Sequence, residues 1–160
     1  MTRARLAVVT VGAVVLVLAV VVGLLARGVV TATRTEAAAG EAARAAAALT
    51  PVLLGYDWRT LDADVARIET ATTGPFAEQN RAIVASLVVP AAVGTRASSS
   101  ATVQRVAVVS AAPERVETLV LYAQTTERNG AAGETVARSA RVVLEPGADD
   151  RWLVAGFDAS

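Results

Sequence analysis

The run from Leu6 to Ala26 sets the first constraint: 21 residues, apolar or small throughout except Thr10, with Arg3 and Arg5 before it and Arg27 closing it. At about 1.5 Å of rise per residue, a helix of that length crosses a hydrocarbon core of roughly 30 Å. A cleaved secretory signal would have a shorter apolar region, about 7 to 15 residues, and a small-x-small site after it. Thr31-Ala32-Thr33 is only a faint match to such a site, so the length favours an uncleaved signal anchor. Arg27 and Arg34 oppose Arg3 and Arg5 across the run, while Glu36 and Glu41 weigh little, because acids barely enter the positive-inside rule. A short basic N-terminus ahead of one apolar segment stays inside. The expectation is a single-pass cell-membrane protein with a cytoplasmic stub and anchor over 1–27 and everything after it extracytoplasmic.

Composition then removes chemistries. The chain has no cysteine and no histidine, so disulfides, thiolate catalysis, the commonest general base and the commonest zinc ligand are all excluded. Its 15 basic residues are all arginine and balance 15 acids, which gives no electrostatic footprint for nucleic acid. An all-arginine cation set suits phosphate or anionic-lipid recognition, but coding bias in a GC-rich genome is the favoured reading, because it also accounts for the excess of Ala, Val and Gly.

Beyond the anchor the apolar pattern changes twice. Residues 28–55 lead into the outer domain as an alanine-rich helix, with Glu41 and Arg44 spaced to meet on one face. Gly40 weakens this helix and Pro51 is expected to kink or restart it. The stripe Ala45, Leu49, Val52, Leu53, Tyr56 gives it an apolar face. A second helix follows Thr60, with Leu61, Val65 and Ile68 at helical spacing. Gly74 is suited to a left-handed stop and Pro75 to the first position of a third helix. That third helix is expected to carry Phe76, Ile83, Val84 and Leu87 on its buried side and to stop before Pro90, leaving 90–100 as a loop. Everything after Ala101 reads as strand: TVQRVAVVSA, VETLVLYAQTTE, ETVARSARVVLEP and RWLVAGFD, separated by AAPER, RNGAAG and GADD. Val106 and Val108, and Leu119 and Leu121, keep period two, so one sheet face is buried and the other solvated. The fold class is therefore α+β. After a transmembrane helix comes a cone-like domain over 56–160, about three helices packed on a curved antiparallel four-stranded sheet.

The stretch YDWRTLDADVARIETATTGPF, residues 56–76, concentrates the polar candidates. Asp57, Asp62 and Asp64 are either active-site carboxylates or helix punctuation. Thr60 at the N-cap, with Asp62 and Asp64 in the first turn, would satisfy orphan amides and the helix dipole, which favours punctuation. Asp62-x-Asp64 lacks the glycine and distal glutamate of a calcium loop, and Asp149-Asp150 sits in a turn, so no metal or cofactor is expected.

The order of an anchor, an alanine-rich helix, Tyr56-Asp57-Trp58-Arg59-Thr60-Leu61-Asp62, then Thr73-Gly74-Pro75-Phe76, then Arg151-Trp152-Leu153-Val154 resembles the Mce-associated membrane proteins of actinobacteria. The chain departs from that pattern after Val154, where Ala155-Gly156-Phe157 replaces the expected acids. The resemblance implies a nuclear-transport-factor-2-like outer domain and an accessory role beside Mce lipid or sterol importers. It carries over no catalytic residues, and the signature positions, Tyr56, Asp57, Trp58, Arg59, Leu61, Asp62, Gly74, Pro75, Phe76, Trp152, Leu153 and Val154, read as structural.

Two functions stay open. One is a non-catalytic, membrane-anchored accessory that contacts Mce-type transporter subunits and supports their assembly, and a scaffold in a secretion apparatus with a similarly folded component would look the same. The other is a carrier or ketosteroid-isomerase-like enzyme using Tyr56, Asp57 and Tyr122 around an apolar pocket. Trp58, Phe76, Trp152 and Phe157 are expected to fill the core between helices and sheet; under the second reading some of them line a lipid-sized cavity within the cone instead.

Overall fold

A computed structural model describes residues 31–131 and 133–160. The apolar run 6–26 and the stub before it lie outside the described residues, and no helix among the described residues is long and apolar enough to cross a membrane. Residues Ala37–Ser160 form one compact unit.

Helix α1 covers residues 31–54. It stays helical through Pro51, three residues from its end, where one missing amide and a local clash are tolerated better than in mid-helix. Within the compact unit its buried side is Ala38, Ala42, Ala46 and Thr50, with Ala45, Leu49, Leu53 and Leu54 half-buried beside them. The alanines therefore enter the core directly, and the larger Leu49, Leu53 and Leu54 pack against its margin. The short alanine side chains let the helix backbone approach the sheet.

Next come β1 (Tyr56–Asp57), α2 (Leu61–Thr70) and α3 (Gly74–Ile83). Gly74 takes the left-handed conformation read for it, φ +61°, but as the first residue of α3, because α2 is already capped by Ala71. The third helix does not stop before Pro90, and of its expected buried side Ile83 and Leu87 are exposed while Val84 is buried. A π turn, Val84–Val88, leads into α4, Val89–Thr95. In it the Val89 amide bonds the Val84 carbonyl five residues back. The shifted ladder puts Pro90 in a first helical turn, where no amide is needed. Arg96 then ends α4 with φ 45°, its amide on Val93 and the Ala97 amide on Ala92, a Schellman closure with arginine where glycine is usual.

The strands are β2 (Ser98–Ala112), β3 (Arg115–Glu127), β4 (Thr135–Pro146) and β5 (Trp152–Ala159), antiparallel in the order β1-β2-β3-β4-β5. The sheet has five strands, not four, because Tyr56 and Asp57 pair with Ser99 and Ser98. Residues 98–100, expected in a loop, open β2. Asn129 and Gly130, both with positive φ, turn β3 into β4, as an Asn-Gly hairpin requires. Extra residues at Gln104, Val109 and Ala155 break the register, and such bulges add twist and bend a sheet.

Period two holds in β3 with the parity that leaves the leucines out. Val116, Thr118, Val120 and Tyr122 are buried, whereas Leu119 and Leu121 are 40% and 39% exposed. The core joins these inward residues to Ala140, Val142, Leu144 and Val154 and to the alanine face of α1. Tyr122 and Phe157 meet with ring centroids 6.5 Å apart. Phe76, Trp152 and Phe157 pack against that cluster, so these aromatics help to fill the space between helices and sheet.

Candidate functional site

Two of the three signature segments meet. Between α2 and α3, the Thr73 amide donates to the Val154 carbonyl and the Val154 amide to the Ala71 carbonyl, both at 2.9 Å. The Thr-Gly-Pro connection is thus bound to Trp152-Leu153-Val154 as a short bridge on the edge of β5. Val154 is fully buried, Phe76 lies half-buried on the core, and Leu153 lines a groove with Leu49 and Trp152. Trp152 Nε1 donates to Glu41 Oε2 at 3.4 Å, which ties β5 to α1.

At the other end of the sheet, a cleft of about 480 Å³ runs beside Tyr56, Asp57, Thr60, Asp64, Arg67 and the serines Ser98, Ser99 and Ser100. Its organising group is Asp64, 2% exposed. The Asp57 amide donates to Asp64 Oδ2 at 2.8 Å, the Thr60 hydroxyl donates to the same oxygen at 3.0 Å, and the Arg67 guanidinium pairs with Oδ1. Burial opposes ionisation of this carboxyl, but the Asp57 amide, Arg67 and Thr60 outweigh it and hold the group below the ordinary value of 3.8. A carboxylate saturated with donors and easily ionised is a weak base.

The expected roles are redistributed. Thr60 sits at the N-cap position, but its side chain makes no cap bond; its hydroxyl is turned onto Asp64. Asp62 is exposed at the start of α2, as a dipole-complementing acid would be. Asp57 Oδ1 accepts from the Arg59 amide at 2.8 Å, an Asx-type turn leading into α2, and its carboxylate pairs with the Arg59 guanidinium at 3.4 Å. Leu61 is buried under α2. Trp58 carries the Arg59 guanidinium 4.7 Å from its ring centroid and that of Arg96 at 5.7 Å. Tyr122, the third member of the isomerase-like set, does not line the cleft that holds Tyr56 and Asp57; it is 1% exposed in the core.

Asp64 and Arg96 were missed as organising residues. Asp64 had a legible signal: it occupies the apolar stripe Leu61, Asp64, Ile68, three residues before Arg67 and four after Thr60. Arg96 had none, because its role follows from a helix that the sequence did not reveal. Among the described residues no cluster of acids could hold a metal ion.

No family model matches the sequence, and no curated protein matches it. Solved structures do match its shape. An IcmL-like type IV secretion system protein from Legionella pneumophila superposes with a TM-score of 0.63 at 8% identity, over 74% of this chain and 88% of that one. A periplasmic fragment of TraM gives 0.56 at 5% identity, over 75% and 95%. VirB8 of Agrobacterium tumefaciens gives 0.53 at 15% identity, over 80% and 90%. At these identities the likeness is one of fold, and the fold is nuclear-transport-factor-2-like.

Proposed function

We propose that this chain is a non-catalytic accessory protein, held to the cell membrane by residues 6–26 with its folded unit outside the cytoplasm. In this reading it supports the assembly or stability of a Mce-type lipid or sterol importer. The observation that carries it is that the signature residues are tied into the fold: 71–73 to Val154, and Asp57 and Thr60, with Arg67, to the buried Asp64. Residues that hold a fold together in this way leave the surface free for contact with other subunits. The Mce assignment comes from the sequence signature alone. The fold neighbours named for type IV secretion favour a second reading, in which the same kind of domain serves a secretion apparatus.

The experiment is photo-crosslinking in intact cells, with probes on the exposed side of α1 and on the solvent face of β3, and identification of what is captured. Mce-type subunits support the proposal, and secretion components move the assignment to the second reading. If instead the purified protein converts a steroid or lipid at a rate lost on Tyr56→Phe or Asp57→Asn, the accessory role is wrong.

A further inference from the structure

From Ala82 to Thr95 there is no charged residue for 14 positions, between Arg81 and Arg96. This stretch is the end of α3, the π turn and α4, and it is not buried. Leu87 is 65% exposed, Val93 56% and Ile83 43%, while Val84 and Ala92 face the protein. Ala82, Ser86, Pro90, Ala91 and Gly94 are exposed as well. A solvated helix face normally carries charge, and an exposed apolar surface of this kind marks a contact. The solvent face of β3 is different. There Leu119 and Leu121 are interleaved with Arg105, Arg141 and the Arg141–Glu117 ion pair.

The corner at the C-terminal end of this helix supplies the complementary chemistry. Trp58 lies there beneath the guanidiniums of Arg59 and Arg96. The β3–β4 turn joins it, since the Asn129 amide donates to the Thr95 carbonyl at 3.0 Å, which brings Arg128 close. Neither Arg96 nor Arg128 makes an ion pair among the described residues. Arg96 holds its position at a left-handed φ of 45°, a conformation that residues with a Cβ seldom adopt.

An uncharged helix face beside a tryptophan and unpaired arginines matches the layered chemistry of a bilayer surface. We propose that the 82–95 face docks on an anionic membrane, with Ile83, Leu87 and Val93 below the headgroups and Trp58, Arg96 and Arg128 among the phosphates. This goes beyond anchorage by residues 6–26, because it fixes which side of the folded unit meets the lipid. Only ten residues, 27–36, separate the apolar run from the compact unit. A partner of this chemistry is therefore at hand wherever the run is inserted.

The absence of cysteine makes the test direct. Single cysteines at Leu87, Val93 and, as a control, Leu119 are spin-labelled in the full chain. The protein is reconstituted in phosphatidylcholine vesicles with and without phosphatidylglycerol, and collisions with oxygen and with a water-soluble nickel chelate are measured. The expected result is a several-fold rise in the oxygen-to-nickel ratio at Leu87 and Val93 when phosphatidylglycerol is present, with Leu119 unchanged. Arg96→Gln with Arg128→Gln should reduce that lipid dependence. Labels at Leu87 and Val93 that stay as aqueous as Leu119 overturn the proposal. So do labels shielded from both reagents, the sign of a protein contact such as a second copy. Alkaline washing of the vesicles reads anchorage by 6–26 separately, and the label result stands whichever way that wash comes out.

Discussion

The Asp57 amide donates to the Asp64 carboxylate at 2.8 Å, so the acid in the first turn of α2 holds the strand that precedes the helix. With the Thr60 hydroxyl and Arg67 on the same carboxylate, three donors from both sides of a turn converge on one buried acceptor. Asp64→Ala should destabilise the fold by about 2–3 kcal/mol, because it leaves the Asp57 amide and the Thr60 hydroxyl without their acceptor. Asp64→Asn should cost less, and Asp62→Ala should stay within about 0.5 kcal/mol, as an exposed position does. Urea denaturation of the three variants checks the order; equal effects at Asp62 and Asp64 would return both to plain dipole-complementing roles.

The same contact predicts an acid limb. The folded carboxyl of Asp64 lies below its ordinary value of 3.8, so the unfolded chain binds the proton more readily. The stabilisation from Asp64 is complete above that value and is lost as pH falls through the folded pKa. Melting temperature measured downward from pH 5 should fall more steeply in the wild type than in Asp64→Asn. Parallel curves would show that Asp64 is not the titrating group.

How much of this was visible beforehand depends on what each residue answers to. The four long strands were legible because Val, Thr and aromatic alternation is broken by turn residues that tolerate positive φ, such as Asn129 and Gly130. Which parity faces inward was not legible: Leu119 and Leu121 look like core. The chain instead buries Thr118, whose hydroxyl donates to the Val142 carbonyl at 3.3 Å, and Tyr122. That choice is made by α1, which arrives from far along the sequence. The end of α3 was misread for a local reason, since Pro90 stops an α-helix unless a π turn shifts the ladder first. At the site, the attachment of Asp57 to Asp64 reaches across seven positions of the chain, which no periodicity displays.

Tyr122 predicts the alkaline limb. Burial pushes its phenol above the ordinary value of 10.0, with Arg138 partly opposing the shift. The folded state therefore keeps the proton longer than the unfolded one. This contribution is present below pH 10 and is lost as pH rises through the folded pKa. Tyr122→Phe should remove that part of the alkaline loss of stability while leaving the neutral-pH fold intact. If both proteins lose stability identically above pH 10, another group is responsible.

Two glycines give opposite outcomes for the same substitution. An added Cβ meets nothing within 4 Å at either Gly40 or Gly74, so space does not distinguish them. Gly40 lies in the middle of α1, where alanine is favoured by about 1 kcal/mol. Gly74 has φ +61°, where a Cβ costs about 1–2 kcal/mol. Gly40→Ala should raise the melting temperature and Gly74→Ala should lower it; a shift of the same sign in both would contradict the left-handed start of α3.

Asp57 separates the accessory role from chemistry. Its carboxylate is half-exposed, accepts from the Arg59 amide at 2.8 Å and pairs loosely with the Arg59 side chain at 3.4 Å. An asparagine oxygen can take over the first bond, and a half-exposed ion pair contributes about 0–1 kcal/mol. Asp57→Asn should therefore be folded, normally abundant and able to restore function in cells lacking the native chain. Asp57→Ala, which also loses the turn, should lower both abundance and function by the same factor. A general base could not be replaced by an amide, because the substitution removes the proton acceptor while leaving the shape. An Asp57→Asn protein that accumulates normally, melts like the wild type and restores nothing would identify Asp57 as a reacting group, and the non-catalytic reading of this domain would have to be abandoned.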